Sequence, residues 1–437
     1  MLTLPRPSLL FVAFTLLVAG AALSRQEPDR AAQQAPAVGP ARVAERAGVV
    51  AHDEAELVRL LEDPNGPETI SLEAHAYHGD FRIRRRVTLQ GTAGAELVGT
   101  GQGTVLSIEA PGTHVSEMTV RHSGRKHTQE DAGIKAIADH VVIRGVLVED
   151  ALFGISLGPC RSCIVERAHV RGVLGEHELR GDAIKLWEAS DSRVQGCVVE
   201  NGRDVVVWYS RRVQLLDNWV THSRYGAHFM YAHDSLVSRS HFIDNVVGVF
   251  VMYSSGLRVE NSVLAGARGA AGMGIGFKES DGVSLSKNFM VANTAGVYLD
   301  RTPRSPERPV RFDRNVFALN ETALSFHSSE RGVAFDSNDF VRNHVAVEVE
   351  GGGDATEVDF SNNYWSDYLG YDLDHDQVGD VPYEVKRLAS QLAETRPSVR
   401  VLEGTLAMGL IDVMARALPV FSVQSLLADP SPRMSPK

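Results

Sequence analysis

DAIKLW at Asp182, DVVVWY at Asp204, YGAHFMY at Tyr225, VGVFVMY at Val247, GMGIGFK at Gly272 and AGVYLD at Ala295 are one short phrase written repeatedly. Aligning the first inward residue of each gives Ile184, Val206, His228, Val249, Ile275 and Val297, and the same slot recurs at Ile134, Ile155, Leu324 and Val347. The successive steps are 21, 29, 22, 22, 21, 26, 22, 27 and 23 residues. A period near 22 with strand-like content predicts a stacked solenoid, in which each unit buries its apolar face only against its neighbours.

A second phrase follows each first one. It reads VQGCVV at Val194, LLDNWV at Leu215, VSRSHF at Val237, VENSVL at Val259, LSKNFM at Leu285, FDRNVF at Phe312, FDSNDF at Phe335 and FSNNYW at Phe360. Its fourth position holds Asn218, Asn288, Asn315, Asn338 and Asn363, with Cys197, Ser240 and Ser262 in other copies. Stacked asparagines pass amide hydrogen bonds from coil to coil at the strand spacing of ~4.8 Å. Two strands per coil, a polar ladder at a corner and no helical period predict an all-β, right-handed parallel β-helix of the pectin-lyase-like kind, with short N- and C-terminal helices.

Outward from this repeat, residues 1–24 carry one Arg, an apolar run from Leu9 to Ala22 and small residues at Ala19, Ala21, Ala22 and Ser24. That run is short for a bilayer span and ends like a cleavage site, so it reads as a Sec-type signal peptide and predicts export to the periplasm. Residues 25–46, rich in Ala, Pro and Gln, read as a flexible lead-in, 47–384 as the β-helix, and 385–437 as an amphipathic helix with a Pro-rich tail. AELVRLLEDPNG from Ala55 predicts a short helix capping the first coil. In Thr405–Leu418 the residues Leu406, Leu410, Ile411, Met414 and Leu418 share one helical face and suit a C-terminal cap. The tail beyond Pro419 is too irregular to finish a solenoid and is expected to dock on a partner. The net charge of −11 argues against a nucleic-acid partner.

Lengthened steps place insertions at Gly172–Arg180, Ala265–Ala271 and Arg301–Pro309, framing a groove on the first-phrase sheet. Strand alternation, fixed by Lys185, Lys278, Asp300 and Glu348, predicts two outward columns. One is Lys185, Val207, Phe229, Phe250, Gly276 and Tyr298; the other is Trp187, Tyr209, Tyr231, Met252, Lys278 and Asp300. An aromatic face of that size predicts a binding platform, with Trp187, Tyr209, Phe229, Tyr231, Phe250, Met252, Lys278 and Tyr298 as its contacts.

For metal ligation, His228 and Met230 offer a nitrogen and a thioether suited to copper, but on this alignment both point into the core. Met252, Met273, His177 and His233 are the more exposed candidates. Asp372, Asp374, Asp376 and Asp380 have the alternation of a calcium loop, without the Gly and the final Glu of an EF-hand, and read as a structural calcium site or an acidic solvated loop. The pair Cys160 and Cys163, in CRSC, is compatible with a disulfide, two free thiols or a soft-metal site. Catalysis has little support: Asp182 and Asp204 stand at strand starts as turn residues, and Lys278, Glu279 and Asp300 form the one charged constellation on the face.

GDAIKLW, RDVVVWYS, RYGAHFMY, VFVMYS, GMGIGFKESD, GVYLDRTPRSP and NYWSDYLGYDLDHDQVGD closely resemble the NosD family from about Gly48 to the tail. The resemblance implies a non-enzymatic periplasmic maturation factor for nitrous oxide reductase. It implies copper as transient cargo, and as partners the reductase, a copper donor protein and an ABC transporter's ATPase and membrane subunit. It fixes no copper ligand. The competing expectation from the residues is a polysaccharide-binding or polysaccharide-modifying β-helix, because aromatic platforms also stack on sugar rings.

Overall fold

The computed structural model describes residues 48–350, 353–386 and 425–437, together with Thr405 and Leu410. The expected signal peptide, the lead-in and the amphipathic helix of 405–418 therefore lie essentially outside the described residues. What is described is a parallel β-helix. Its coils build three sheets of 14, 13 and 12 strands, in which every neighbouring pair runs parallel. Helix α1 (Glu54–Glu62) caps the first coils, with Asp53 accepting the Glu56 N–H at 2.8 Å and Leu57 and Leu61 buried.

Each coil has three strands, not the two expected, because the second phrase bends at its ladder position. In Val194–Val199 the strand Arg193–Gln195 belongs to one sheet and Val198–Glu200 to another. The bend is a single residue in the left-handed region just before the ladder residue: Gly196, Asp217, Arg239, Asn261, Lys287, Arg314, Ser337 and Asn362, with φ between 49° and 62°. Most of these carry a Cβ, so no glycine signal marks the corner. The ladder itself is as expected: Asn288 donates to Asn315 Oδ1 at 3.0 Å, Asn315 to Asn338 at 3.0 Å and Asn338 to Asn363 at 3.0 Å. A second ladder (Asn293, Asn320, Asn343) runs along the next corner, and Ser210, Ser254, Ser280 and Thr302 line the third.

The longest strands form the first-phrase sheet. Its central members are β1 (Ile184–Trp187), β2 (Asp204–Trp208), β3 (Tyr225–Met230), β4 (Val247–Met252), β5 (Met273–Lys278) and β6 (Ala295–Asp300). Towards the C-terminal end the core becomes aromatic: Phe317, Phe340, Trp365 and Tyr383 stack in sequence at 4.8, 4.1 and 4.4 Å.

The chain's last residues close this stack. Strand β7 (Ser425–Asp429) pairs antiparallel with Tyr383–Lys386, and the buried Asp429 ends the asparagine ladder by accepting from Asn363 and from the Trp365 indole. Arg433 forms a buried ion pair with Asp339. The end of the tail is thus a cap and not the free docking element its irregular sequence suggested. Its strand character was hidden because a single capping strand has no periodic partner in the chain.

Candidate functional site

Strand register decides what the first-phrase sheet shows to solvent. Ile184 pairs with Val205, Ala227 with Val249, and Val207 with Phe229 and then Val251. The inward slot of β2 and β3 is therefore Val205 and Ala227, one residue before the positions expected from sequence. A one-residue slip exchanges the two faces. Phe229 is fully buried in the core, so it is no part of the outer face. His228 and Met230, expected in the core, stand on the outside, and the outward columns read Lys185, Val206, His228, Phe250, Gly276, Tyr298 and Trp187, Trp208, Met230, Met252, Lys278, Asp300. A register irregularity between Asp204 and Val206 accompanies the slip.

Tyr209 and Tyr231 are exposed as expected, at 45% and 42%, but from another position. They and Tyr253 occupy left-handed corner backbone just past the sheet, with φ of 52°, 50° and 51°. That conformation costs a residue with a Cβ about 1–2 kcal/mol. Tyr209 and Tyr231 stack at 5.2 Å and Tyr231 and Tyr253 at 5.1 Å, while Trp187 tilts onto Tyr209 at 5.0 Å. The result is an aromatic stair along one edge of the face. Trp208 and Tyr253 were missed from sequence; aligning the coils on the tyrosine that ends each phrase, Tyr209, Tyr231 and Tyr253, recovers both.

Beside the stair, His228 is almost completely buried under an aromatic rim. Trp208 and Tyr225 meet it edge-on at 5.2 and 4.8 Å, and Phe250 lies tilted to it at 6.2 Å. Asp204 stands behind it, with Oδ2 at 3.7 Å from His228 Nδ1, too far for a hydrogen bond. Asp204 is ion-paired with Arg224, whose Nε donates to Oδ1 at 3.0 Å, and it accepts the Tyr225 N–H at 3.2 Å. Burial pushes the Asp204 carboxyl up, but His228 and Arg224 together outweigh it and hold its pKa below the ordinary value. The neighbouring Asp182, paired with Arg203, is pushed up to about 6, chiefly by burial.

Insertion 172–180 lies close by. His177 takes an Arg180 contact at 3.3 Å, and burial, then Arg180, lower its pKa, which favours the neutral ring. His127 Nε2 lies 3.1 Å from the Leu179 carbonyl, and Glu130 pairs with Lys185, so segments of two coils fold over this end of the face. Met273 is half-buried on β5; a side chain at Gly276 would strike the Phe250 ring at 2.6 Å and the Met273 sulfur at 3.0 Å, so the glycine makes room for both. His233 lies at a corner, its Nδ1 2.8 Å from Ser255 Oγ.

Further along the face Lys278 pairs with Asp300 at 3.4 Å. Tyr298 Oη lies 3.3 Å from His327 Nδ1, which lies 2.9 Å from Glu350. Burial, then Glu350, push Tyr298 up to about 12, and burial pushes Glu330 up to about 7. His327, Glu330 and Glu350 enlarge the charged constellation expected at Lys278, Glu279 and Asp300.

Of the acidic loop, Asp372, Asp374 and Asp376 bring carboxylate oxygens within 4.8 Å of one another. Asp380 instead accepts the Leu373 N–H at 2.7 Å. Cys160, Cys163 and Cys197 are all buried free thiols, and Cys163 donates to the Ala138 carbonyl at 3.3 Å.

Fold and face together define a parallel β-helix whose outer sheet carries aromatic, imidazole and thioether groups. The family described as "Periplasmic copper-binding protein (NosD)" matches residues 164–370. The "Probable ABC transporter binding protein NosD" of Pseudomonas aeruginosa PAO1 is 32% identical over 80% of this chain and 84% of its own length. That of Stutzerimonas stutzeri is 26% identical over 82% and 85%. The chain belongs to the NosD family. Among solved structures, the A-module of the Azotobacter vinelandii mannuronan C-5 epimerase AlgE6 aligns over 71% of this chain and 93% of its own, with TM-score 0.50 and 12% identity, a likeness of fold alone.

Proposed function

We propose that this chain is an exported, non-enzymatic accessory protein that handles copper as cargo for the maturation of nitrous oxide reductase, together with an ABC transporter. The supporting observation is its relation, across four-fifths of its length, to a protein named as an ABC transporter binding protein in a family described as copper-binding and periplasmic. The described residues contain no helix long and apolar enough to cross a membrane. On this reading the stair of Trp187, Tyr209, Tyr231 and Tyr253 receives the client or the copper donor, because rigid stacked aromatics are efficient contact anchors. Deleting the gene should leave reductase protein exported but short of copper, and tagged protein should co-purify the transporter's membrane subunit and ATPase. Reductase with normal copper content from the deletion strain would defeat the proposal.

A second reading draws on the constellation of Tyr298, His327, Glu350, Lys278 and Asp300, which has the acid, base and cation of a polysaccharide lyase or epimerase. Turnover of a uronate polymer by purified protein, abolished in Tyr298→Phe, would favour it.

A further inference from the structure

We propose that His228, Met230 and Met252 form a copper(I) site on the outer face of the β-helix, with Trp208, Tyr225 and Phe250 as its apolar rim. The assignment rests on the copper-handling reading and supplies the atoms that it lacks.

His228 is the first observation. Its side chain is 7% exposed, and neither Nδ1 nor Nε2 has a hydrogen-bond partner among the described residues. A buried polar group left unpaired costs about 1–3 kcal/mol, so a chain seldom keeps one without a use. A core filler at this position would be aliphatic, as its register partner Val206 is on the preceding coil. The imidazole is oriented too. Asp204, held by Arg224 and the Tyr225 amide, lies 3.7 Å from Nδ1 and favours the tautomer with its proton there. That leaves the Nε2 lone pair free to ligate a metal.

The thioethers are the second observation. Met230 lies two residues beyond His228 on β3 and hence on the same face; Met252 is its register partner on β4. Adjacent coils are ~4.8 Å apart, so the two side chains are neighbours. Both are partly exposed, in contrast to the core methionine Met290. One imidazole and two thioethers are soft donors that suit copper(I) over calcium, magnesium or zinc. The surrounding charge permits a monovalent cation: Arg224 is neutralised by Asp204, and Lys278, the next residue in the methionine column, by Asp300. A ring of aromatic side chains keeps water from the site while leaving the methionine side reachable, as cargo that must leave again requires.

The test uses the purified exported protein, anaerobic, with copper(I) supplied from a chromophoric chelator, and reads stoichiometry, affinity and the X-ray absorption of the bound metal. The expected result is one copper(I) per chain with one nitrogen and two sulfur neighbours. His228→Phe, which matches the aromatic rim, should remove the nitrogen scatterer. The volume-conserving pair Met230→Leu and Met252→Leu should remove the sulfur. Each should weaken binding by more than the ~10–100-fold that loss of a supporting partner costs. If the wild type binds copper(I) and both folded variants, checked by circular dichroism, bind it equally well, the site is wrong while the copper-handling reading stands. If the wild type binds none, the site is likewise overturned, and the copper content of reductase from the deletion strain decides the broader reading by itself.

Discussion

Asp429→Ala removes one side chain at the end of the solenoid and should loosen the whole last coil. Asp429 is fully buried, and its Oδ2 accepts from the Asn363 side chain at 2.9 Å, the Asn363 backbone at 3.2 Å and the Trp365 indole at 3.1 Å. Hydrogen bonds to a charged acceptor contribute ~1.5–3 kcal/mol each. They share one carboxylate, and Asn363 keeps its bond to the Phe335 carbonyl at 2.9 Å, so the losses do not add fully. A net loss of about 4 kcal/mol is expected, against roughly 1–2 kcal/mol for Asp429→Asn, which keeps one acceptor. Because each coil leans on its neighbours, the damage should stay local. Native-state hydrogen exchange should accelerate about a thousandfold for amides near Phe360–Trp365, with coils around Val249 unchanged. Exchange within about threefold of wild type in that segment would show that the last coil does not depend on this cap.

Three further outcomes follow from the same geometry. Phe229→Ala should cost ~3–5 kcal/mol in unfolding experiments and Tyr231→Ala less than ~1 kcal/mol, and equal costs would contradict the register described above. Trp187→Ala combined with Tyr231→Ala should weaken client binding by about 2–4 kcal/mol in calorimetry without altering the circular dichroism spectrum. Glu330 is raised to about 7 from 4.5, chiefly by burial, so the folded chain keeps a proton that the unfolded chain releases. Its stabilising contribution is complete below about pH 4.5 and lost as pH rises through about 7, up to ~3 kcal/mol in all. Glu330→Gln should therefore raise the thermal midpoint at pH 8 and leave it unchanged at pH 4, and identical pH profiles for the two proteins would remove the assignment.

The solenoid was legible because its two loudest signals, a step near 22 residues and an asparagine recurring at one corner of most coils, are direct consequences of stacking. The third strand of each coil was not. Many corners that separate the strands are left-handed residues such as Arg239, Lys287 and Arg314, types that usually avoid positive φ and so carry no punctuation in the sequence. Their conformation is imposed by the coil beneath: Asp217 donates its N–H to the Ser238 carbonyl at 3.0 Å and Arg239 to Glu260 at 3.1 Å. Tertiary pairing overrides the local preference there.

The candidate site fared differently, and the cause lies in three consecutive valines. In Val205, Val206 and Val207 the alternation that separates core from surface disappears, because the outward Val206 is itself covered and fully buried. No residue in β2 marks parity, so an alignment anchored on Lys185 crosses it one position out of step and carries the error into β3. That exchanged the two faces for just the coils that hold His228 and Met230, and set both aside as core. Beyond Val249, where Lys278 and Asp300 restore the contrast between faces, Phe250, Met252, Lys278 and Tyr298 stand where the sequence placed them. The coils without polar punctuation are also those whose outer face is dry enough to bury an imidazole. A site that excludes water must write apolar residues on both faces of its strand, and it thereby erases the pattern by which a strand is read.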